Sequence, residues 1–159
     1  MTEPVKPHAT HPSELDAPPK LKLAILTCMD ARINLWDLFH LGLGDAHVIR
    51  NAGAIATPDV IRSLAASQRL LETEEIVVIA HTDCGIHRIA PTEFAKQVGE
   101  ETGTVPDWTV PATSDPHSTL ALTLDVLRAA PELKHRDKIT GWVLDVESGE
   151  LTSADAGQS

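Results

Sequence analysis

The chain has 159 residues, and 42% of them are hydrophobic, so it can bury the core of one ordinary domain. Its formal net charge of -10 argues against a nucleic-acid partner and against attraction to an anionic membrane, because both depend on clustered lysine and arginine. No apolar run approaches the roughly 18 residues of a membrane span, and the N-terminal residues lack the apolar stretch of a secretory signal. We therefore expect a cytoplasmic protein with no membrane partner.

The chain divides into three predicted parts. Residues 1–20 contain five prolines, which exclude a long helix or a central strand, so we expect an extended N-terminal arm. Residues 21–150 are predicted to form a single domain. Residues 151–159 are predicted to form a tail.

Within the domain, apolar runs that predict strands alternate with helical patterns. The predicted strands are residues 21–27, 46–50, 75–81 and 138–146. The predicted helices are residues 33–41, a helix that begins after Thr57, a helical stretch from Cys84 to about residue 102, and a helix that begins after Asp115. This alternation indicates an α/β fold with a mostly parallel sheet flanked by helices. We expect the strand order 2-1-3-4 plus an edge strand.

Three potential metal ligands follow two of the predicted strands. Cys28 comes directly after the first strand, His81 ends the third, and Cys84 lies three residues further on. In an open parallel sheet, side chains at the carboxyl ends of neighbouring strands meet in one crevice. Thiolate and imidazole are preferred zinc ligands, and three protein ligands leave a fourth position open, as in catalytic sites.

Spacing alone leaves three other interpretations of these residues open. The two cysteines could be small buried core residues. They could form a disulfide if the compartment is oxidising. A zinc ion could also be structural, with a fourth ligand such as Asp30.

The residues after Cys28 favour a catalytic site. Asp30 and Arg32 fall in the turn that follows the first strand, where an arginine can hold a carboxylate through two hydrogen bonds. Zinc with two thiolates and a neutral imidazole is formally uncharged, so it should lower the pKa of bound water less than a site with three histidines does. An ionised Asp30 beside the metal would compensate by accepting a hydrogen bond, with Arg32 orienting it.

Three motifs together resemble those of a known family. The segments 28–32 (CMDAR), 50–53 (RNAG) and 81–85 (HTDCG) resemble the C-x-D-x-R, R-N-A-G and H-x-x-C-G signatures of β-class carbonic anhydrases, in the same order. The details are most similar to the short bacterial branch typified by mycobacterial members. One departure is Ile86, which stands where many members have a second glycine after Cys84.

The resemblance implies a zinc lyase. One zinc ion per chain would be held by Cys28, His81 and Cys84, with Asp30 and Arg32 as the catalytic pair. Zinc-bound hydroxide would attack CO₂ and release bicarbonate and a proton. A homodimer or homotetramer is implied, with the N-terminal arm packed on the partner.

Two alternatives remain beside this assignment. The same scaffold could hydrolyse carbonyl sulfide or carbon disulfide, because these linear molecules are open to the same nucleophile. The chain could also be a zinc-binding protein without catalysis.

Four further residues carry smaller predictions. Gly53 should permit a positive φ or a close backbone approach beside the site, and Asn51 should hold the turn through its side chain. His47 and His87 are candidate proton relays because histidine titrates near neutral pH, although with eight histidines in the chain each is more often a surface residue.

Overall fold

The computed structural model describes residues 12–88, 90–110 and 114–154. The strands are β1 (Leu23–Cys28), β2 (Ala46–Asn51), β3 (Glu75–His81), β4 (Ile139–Leu144) and β5 (Leu151–Ser153). The α-helices are α1 (Leu35–Phe39), α2 (Pro58–Leu70), α3 (Pro91–Thr102) and α4 (Pro116–Ala129). Two 3₁₀ helices span Pro12–Glu14 and Gly85–Arg88.

All five strands form one sheet in the order β2-β1-β3-β4-β5. The first four strands are parallel, and β5 pairs antiparallel with β4. The predicted α/β fold, the order 2-1-3-4 and the additional edge strand are therefore confirmed. Since β1 lies between β2 and β3, the carboxyl ends of these three strands adjoin one another.

Both faces of the sheet are covered. On one face, a cluster that includes Ala24 and Leu26 of β1 packs against residues of α2 and α4 such as Leu64 and Leu124. On the other face, Ile25 belongs to a second cluster that also contains both cysteines. Strands buried on both faces appear in the sequence as continuous apolar runs, which is why β1 and β3 could be predicted from the sequence.

The predicted starts of α2 and α4 are confirmed by their caps. The Thr57 side chain accepts a hydrogen bond from the Val60 N–H, and the Asp115 carboxylate accepts from the N–H groups of His117 and Ser118. In both helices proline occupies the first turn, where its missing N–H has no intrahelical partner to lose.

The structure differs from the prediction in two segments. The predicted helical stretch from Cys84 is divided into the 3₁₀ helix Gly85–Arg88 and helix α3, because Pro91 disfavours helical geometry in the residue before it. The predicted tail begins with a strand, since Leu151–Ser153 pairs with β4 after a turn in which Gly149 has a φ of 76°.

The structure describes only part of the predicted N-terminal arm and of the predicted tail. Residues 1–11 of the predicted arm and residues 155–159 of the predicted tail lie outside the described residues. Further along, the N–H groups of Lys20 and Leu21 donate to the carbonyls of Gly44 and Asp45, which ties this segment to the turn before β2. Among the described residues, no helix combines the length and the apolar character needed to cross a membrane.

Candidate metal centre

The three predicted ligands meet at the carboxyl ends of β1 and β3. Cys28 is the last residue of β1, His81 is the last residue of β3, and Cys84 follows three positions later. Their candidate ligand atoms all lie within 4.8 Å of one another, and the two Sγ atoms are 3.8 Å apart. All three residues are buried. The predicted convergence of these side chains is therefore confirmed.

The cysteines are not used as a disulfide in this structure. Both are free thiols, and their Sγ separation of 3.8 Å is far longer than the roughly 2.05 Å of an S–S bond. Burial alone would suit small core residues, but His81 lies against them and a buried imidazole needs a partner.

The orientation of His81 favours a metal. Its Nδ1 lies 2.8 Å from the Thr82 carbonyl oxygen, which can only accept, so in the neutral ring Nδ1 carries the proton and Nε2 carries the lone pair. Nε2 is buried and has no hydrogen-bond partner among the described residues. A metal ion is the partner that this lone pair lacks, and a donor set of two sulfurs and one imidazole nitrogen suits zinc.

The two thiols differ in how readily they ionise. Burial opposes ionisation of Cys28, but the protonated form of His81 and the N–H groups of Asp30 and Gly53 outweigh it and lower the pKa of Cys28 to about 7. The same contact with Cys28 outweighs burial and raises the pKa of His81. Burial and the adjacent Cys28 raise the pKa of Cys84 above its ordinary value. One thiolate is thus favoured before any metal arrives, and the second requires the metal's positive charge.

The turn after β2 supplies part of this stabilisation. The Asn51 side chain closes the turn by donating to the Ile55 carbonyl at 2.7 Å and accepting from the Ile55 N–H at 2.9 Å. Gly53 adopts a φ of 87°, and its N–H donates to the Cys28 Sγ over 3.4 Å. Both predictions for this turn, the side-chain bonding of Asn51 and the close approach at Gly53, are confirmed.

Asp30 and Arg32 form the pair that the sequence predicts. The Arg32 Nε and Nη2 donate to the two carboxylate oxygens of Asp30 at 3.0 and 2.8 Å, and the Arg32 main-chain N–H donates at 2.9 Å. These contacts outweigh burial and hold the pKa of Asp30 well below its usual range. Since Asp30 Oδ2 lies 3.9 Å from His81 Nε2, an ionised carboxylate stands beside the cluster of ligand atoms.

Two charged residues that the sequence analysis did not single out also contact this pair. Asp83 accepts a hydrogen bond from Arg32 Nη1 on its Oδ2 at 3.0 Å, and from Arg32 Nη2 on its main-chain oxygen at 2.9 Å. Arg88 Nη2 donates to Asp83 Oδ1 at 2.5 Å. Hydrogen bonds from Arg88 and Arg32 lower the pKa of Asp83, so its carboxylate is ionised at neutral pH. The only sequence signal was the position of Asp83 between two ligands.

The two candidate proton relays occupy different regions. His47 pairs with Ala24 near the start of β1, and its Nδ1 lies 2.8 Å from the Ser67 Oγ, so it lies far along the strand from Cys28. His87 lies in the 3₁₀ helix directly after Cys84 and is partly buried, which lowers its pKa. Of the two, only His87 is placed near the ligands.

Comparisons with known proteins agree with this architecture. The carbonic anhydrase family model matches residues 23–130. The chain is 40% identical to Beta-carbonic anhydrase 1 of Mycobacterium tuberculosis over 137 residues, which cover 86% of this chain and 84% of the relative. It is also 31% identical over 160 residues to a carbon disulfide hydrolase of Acidithiobacillus thiooxidans, covering 87% and 79% of the two chains.

A solved carbonic anhydrase structure is also similar to this chain. The carbonic anhydrase of Streptococcus mutans superposes with a TM-score of 0.81 at 36% identity, over 87% of this chain and 84% of that one. The fold, the family match and the extent of the similarity to its relatives define the class, and the chain belongs to the β-class carbonic anhydrase family.

Proposed function

We propose that this protein hydrates carbon dioxide reversibly to bicarbonate and a proton, with one zinc ion per chain held by Cys28, His81 and Cys84. The observation that carries the proposal is the unpartnered Nε2 of His81, buried against two thiols and 3.9 Å from an ionised carboxylate. Family membership supports the same assignment.

Zinc at this position would lower the pKa of a water molecule that it binds and so provide a nucleophile near neutral pH. The chain's own residues would orient that water. Asp30 is ionised and can only accept, so it would take a hydrogen bond from this water and direct the oxygen lone pair toward the carbon of CO₂. Arg32 holds both oxygens of Asp30 and fixes the angle at which this acceptor faces the site.

A second candidate is hydrolysis of carbon disulfide or carbonyl sulfide. The carbon disulfide hydrolase of Acidithiobacillus thiooxidans is similar over most of this chain, which favours keeping this alternative. These molecules are linear, like CO₂, and their carbon is open to the same attack. The proposed ligands and the Asp30–Arg32 pair would serve both reactions, and the relative rates on CO₂ and on the sulfur compounds distinguish them.

A zinc-binding protein without catalysis is the third candidate. A structural zinc site normally has four protein ligands, so in that case we would expect Asp30 to be the fourth ligand. Its hydrogen bonds to Arg32 favour the catalytic assignment.

A cytoplasmic homodimer or homotetramer is part of the proposal. The two free thiols beside His81 would be maintained by a reducing compartment. The exposed side chains of Leu122 and Val126 on α4 provide apolar surface that a second copy could cover. Light scattering coupled to size-exclusion chromatography measures the assembly directly.

The experiment that tests the function is stopped-flow CO₂ hydration by zinc-replete protein from neutral to alkaline pH. Carbonyl sulfide and carbon disulfide are assayed in parallel through hydrogen sulfide release. We expect CO₂ turnover that rises with pH, because a formally neutral metal centre lowers the pKa of water only moderately. Chelator-treated protein should be inactive and should recover on adding zinc.

Each other outcome selects one of the alternatives. Rapid sulfide release with feeble CO₂ turnover would favour the hydrolase. Absence of turnover on all three substrates, with one zinc per chain confirmed, would favour the non-catalytic zinc protein.

A further inference from the structure

We propose that Asp83, braced by Arg88, is a positioning residue that holds Arg32 on Asp30 and so prevents Asp30 from entering the metal's open ligand position. This inference rests on the proposed function, because it assigns a role within the same site. It adds two residues to the machinery, and both act through Arg32.

The geometry of Arg32 is the first observation. Its guanidinium is shared between two carboxylates, with Nε and Nη2 on Asp30 and with Nη1 and Nη2 on Asp83. The Arg32 side chain is 48% exposed, so packing alone does not fix its orientation. A long, half-exposed side chain loses rotamer entropy when it is held in one geometry, and a second anchor on its far side reduces its freedom to leave.

The second observation is that the anchor is itself braced. Asp83 is about as exposed as Arg32, yet each of its carboxylate oxygens has a separate cationic partner, Arg32 on Oδ2 and Arg88 on Oδ1. Asp83 has a φ of 49°, a conformation that aspartate tolerates better than most residues. This backbone position directs Asp83 to Arg32 within the same segment that carries His81 and Cys84.

The third observation explains why the grip on Asp30 matters. Asp30 Oδ2 lies 3.9 Å from His81 Nε2, so the carboxylate is already next to the cluster of ligand atoms. Carboxylate oxygen is an acceptable zinc ligand. If Arg32 loosened, Asp30 would need only a small movement to become the fourth ligand, and the site would lose the position that water must occupy.

The charges along this path alternate, from Asp30 to Arg32 to Asp83 to Arg88. Removing the charge of Asp83 would leave Arg32 bound at one side only, and removing Arg88 would weaken the anchor less. The expected order of effects is therefore Asp83→Asn greater than Arg88→Gln, with Arg88→Lys close to the parent protein because it keeps a cation beside Asp83.

The test uses azide binding to the cobalt-substituted protein, followed by the visible absorption of the metal. Azide needs the open ligand position, so this readout reports competition by Asp30 without depending on CO₂ turnover. We expect azide affinity to fall about tenfold in Asp83→Asn and by a smaller factor in Arg88→Gln, in line with the loss of a charge-assisted hydrogen bond. The matched control is Asp59→Asn, which removes an exposed carboxylate that also pairs with an arginine, Arg62, on helix α2.

The decisive variant is the double change Asp30→Asn with Asp83→Asn. An amide is a poorer ligand than a carboxylate, so azide affinity should return to the value of Asp30→Asn alone even though CO₂ turnover stays low. Equal azide affinities in Asp83→Asn and Asp59→Asn would overturn the proposal. It would also be overturned if the Asp83→Asn loss persisted without the Asp30 carboxylate, because Asp83 would then not act through Asp30.

Metal content and thermal melting of each variant separate this role from a folding defect. Because the Arg88 side chain is 70% exposed, Arg88→Gln should fold and bind cobalt normally, and it keeps the test valid if Asp83→Asn does not. If the parent protein binds azide but does not hydrate CO₂, the proposed function fails while the azide comparison still decides the role of Asp83.

Discussion

The main-chain N–H of Gly53, in the turn after β2, donates a hydrogen bond to the Sγ of Cys28 at the end of β1. The close approach of this N–H to the sulfur depends on glycine in two ways. The φ of 87° belongs to the left-handed region, and a Cβ at this position would come within 3.1 Å of the Ile55 Cδ1. One backbone position thus links the shape of the turn to the ionisation of a proposed metal ligand.

We expect Gly53→Ala to weaken zinc binding as well as folding. The left-handed conformation costs a residue with a Cβ about 1–2 kcal/mol, and any relaxation of the turn moves the N–H away from the thiolate. Zinc affinity measured against a competing chelator, together with urea unfolding, gives both effects. Gly103→Ala is the matched control, since Gly103 also has a positive φ, of 75°, but a Cβ there would contact nothing. A loss of zinc affinity in the control as large as in Gly53→Ala would contradict the assignment.

Replacement of Asp30 by alanine should remove activity and leave zinc in place. Asp30 is not one of the three converging ligands, so zinc content should stay near one per chain. Loss of a positioned acceptor at the reacting water should lower the CO₂ hydration rate about 100-fold or more. Stopped-flow rates and metal analysis on the same samples measure the two quantities. An undiminished rate would exclude the role assigned to Asp30.

Much of this site could be predicted because its ligands lie at the ends of regular elements. Parallel strands buried on both faces appear as apolar runs, so Cys28 and His81 could be placed at the carboxyl edge from sequence alone. The reversal of strand order at β1 then implied that they meet. The turn at Asn51 and Gly53 was predictable because few residues other than these support such a backbone.

The parts that could not be predicted depend on short or irregular segments. Strand β5 has three residues, too few to show a period of two, and only its pairing with β4 defines it. The contact between Asp83 and Arg88 depends on a left-handed residue followed by a 3₁₀ turn. In the sequence, Asp83 and Arg88 are ordinary charged residues, and most such residues are solvated and have no specific partner.

Zinc binding should release protons, and the number should depend on pH. In the metal-free protein Cys84 has a pKa raised above 9.0, and Cys28 titrates near 7, so at pH 7 one thiol is fully protonated and the other partly so. Both thiols must ionise to bind zinc, and His81, whose pKa the neighbouring Cys28 raises despite burial, must be neutral, so we expect roughly 1 to 3 protons per zinc at pH 7, and fewer above pH 9. Calorimetric titration in buffers of different ionisation enthalpy counts these protons. Binding heats that do not depend on the buffer would contradict the proposed thiolate ligands.

Glu74 should contribute to stability in a defined range of acid pH. Hydrogen bonds from Lys138 and Lys22 lower its pKa from 4.5 to about 2. The contribution is therefore present above the unfolded pKa of 4.5 and is lost as pH falls toward 2. Unfolding midpoints of the parent protein and Glu74→Gln should converge across this window and differ most above it. Midpoints that stay separated by the same amount from pH 5 to pH 2 would show that the carboxylate contributes nothing through ionisation.

Close packing of β4 against α4 gives a prediction about folding alone. A Cβ on Gly141 would come within 2.7 Å of the Leu124 Cδ1 and 3.0 Å of the Leu120 Cδ1. Both leucines are nearly fully buried, so Gly141→Ala must displace packed side chains and should lower the free energy of unfolding by about 1–3 kcal/mol. Urea unfolding measures this loss, and zinc affinity of the folded variant should be unchanged.

A double-mutant cycle with Leu124→Ala tests the cause of that loss. Leu124→Ala alone creates a cavity and should destabilise the protein by about 2–5 kcal/mol. In the double variant the new methyl group occupies part of that cavity, so the two losses should sum to more than the loss measured for the pair. Strict additivity would show that the alanine at position 141 is destabilising for a reason other than its contact with Leu124.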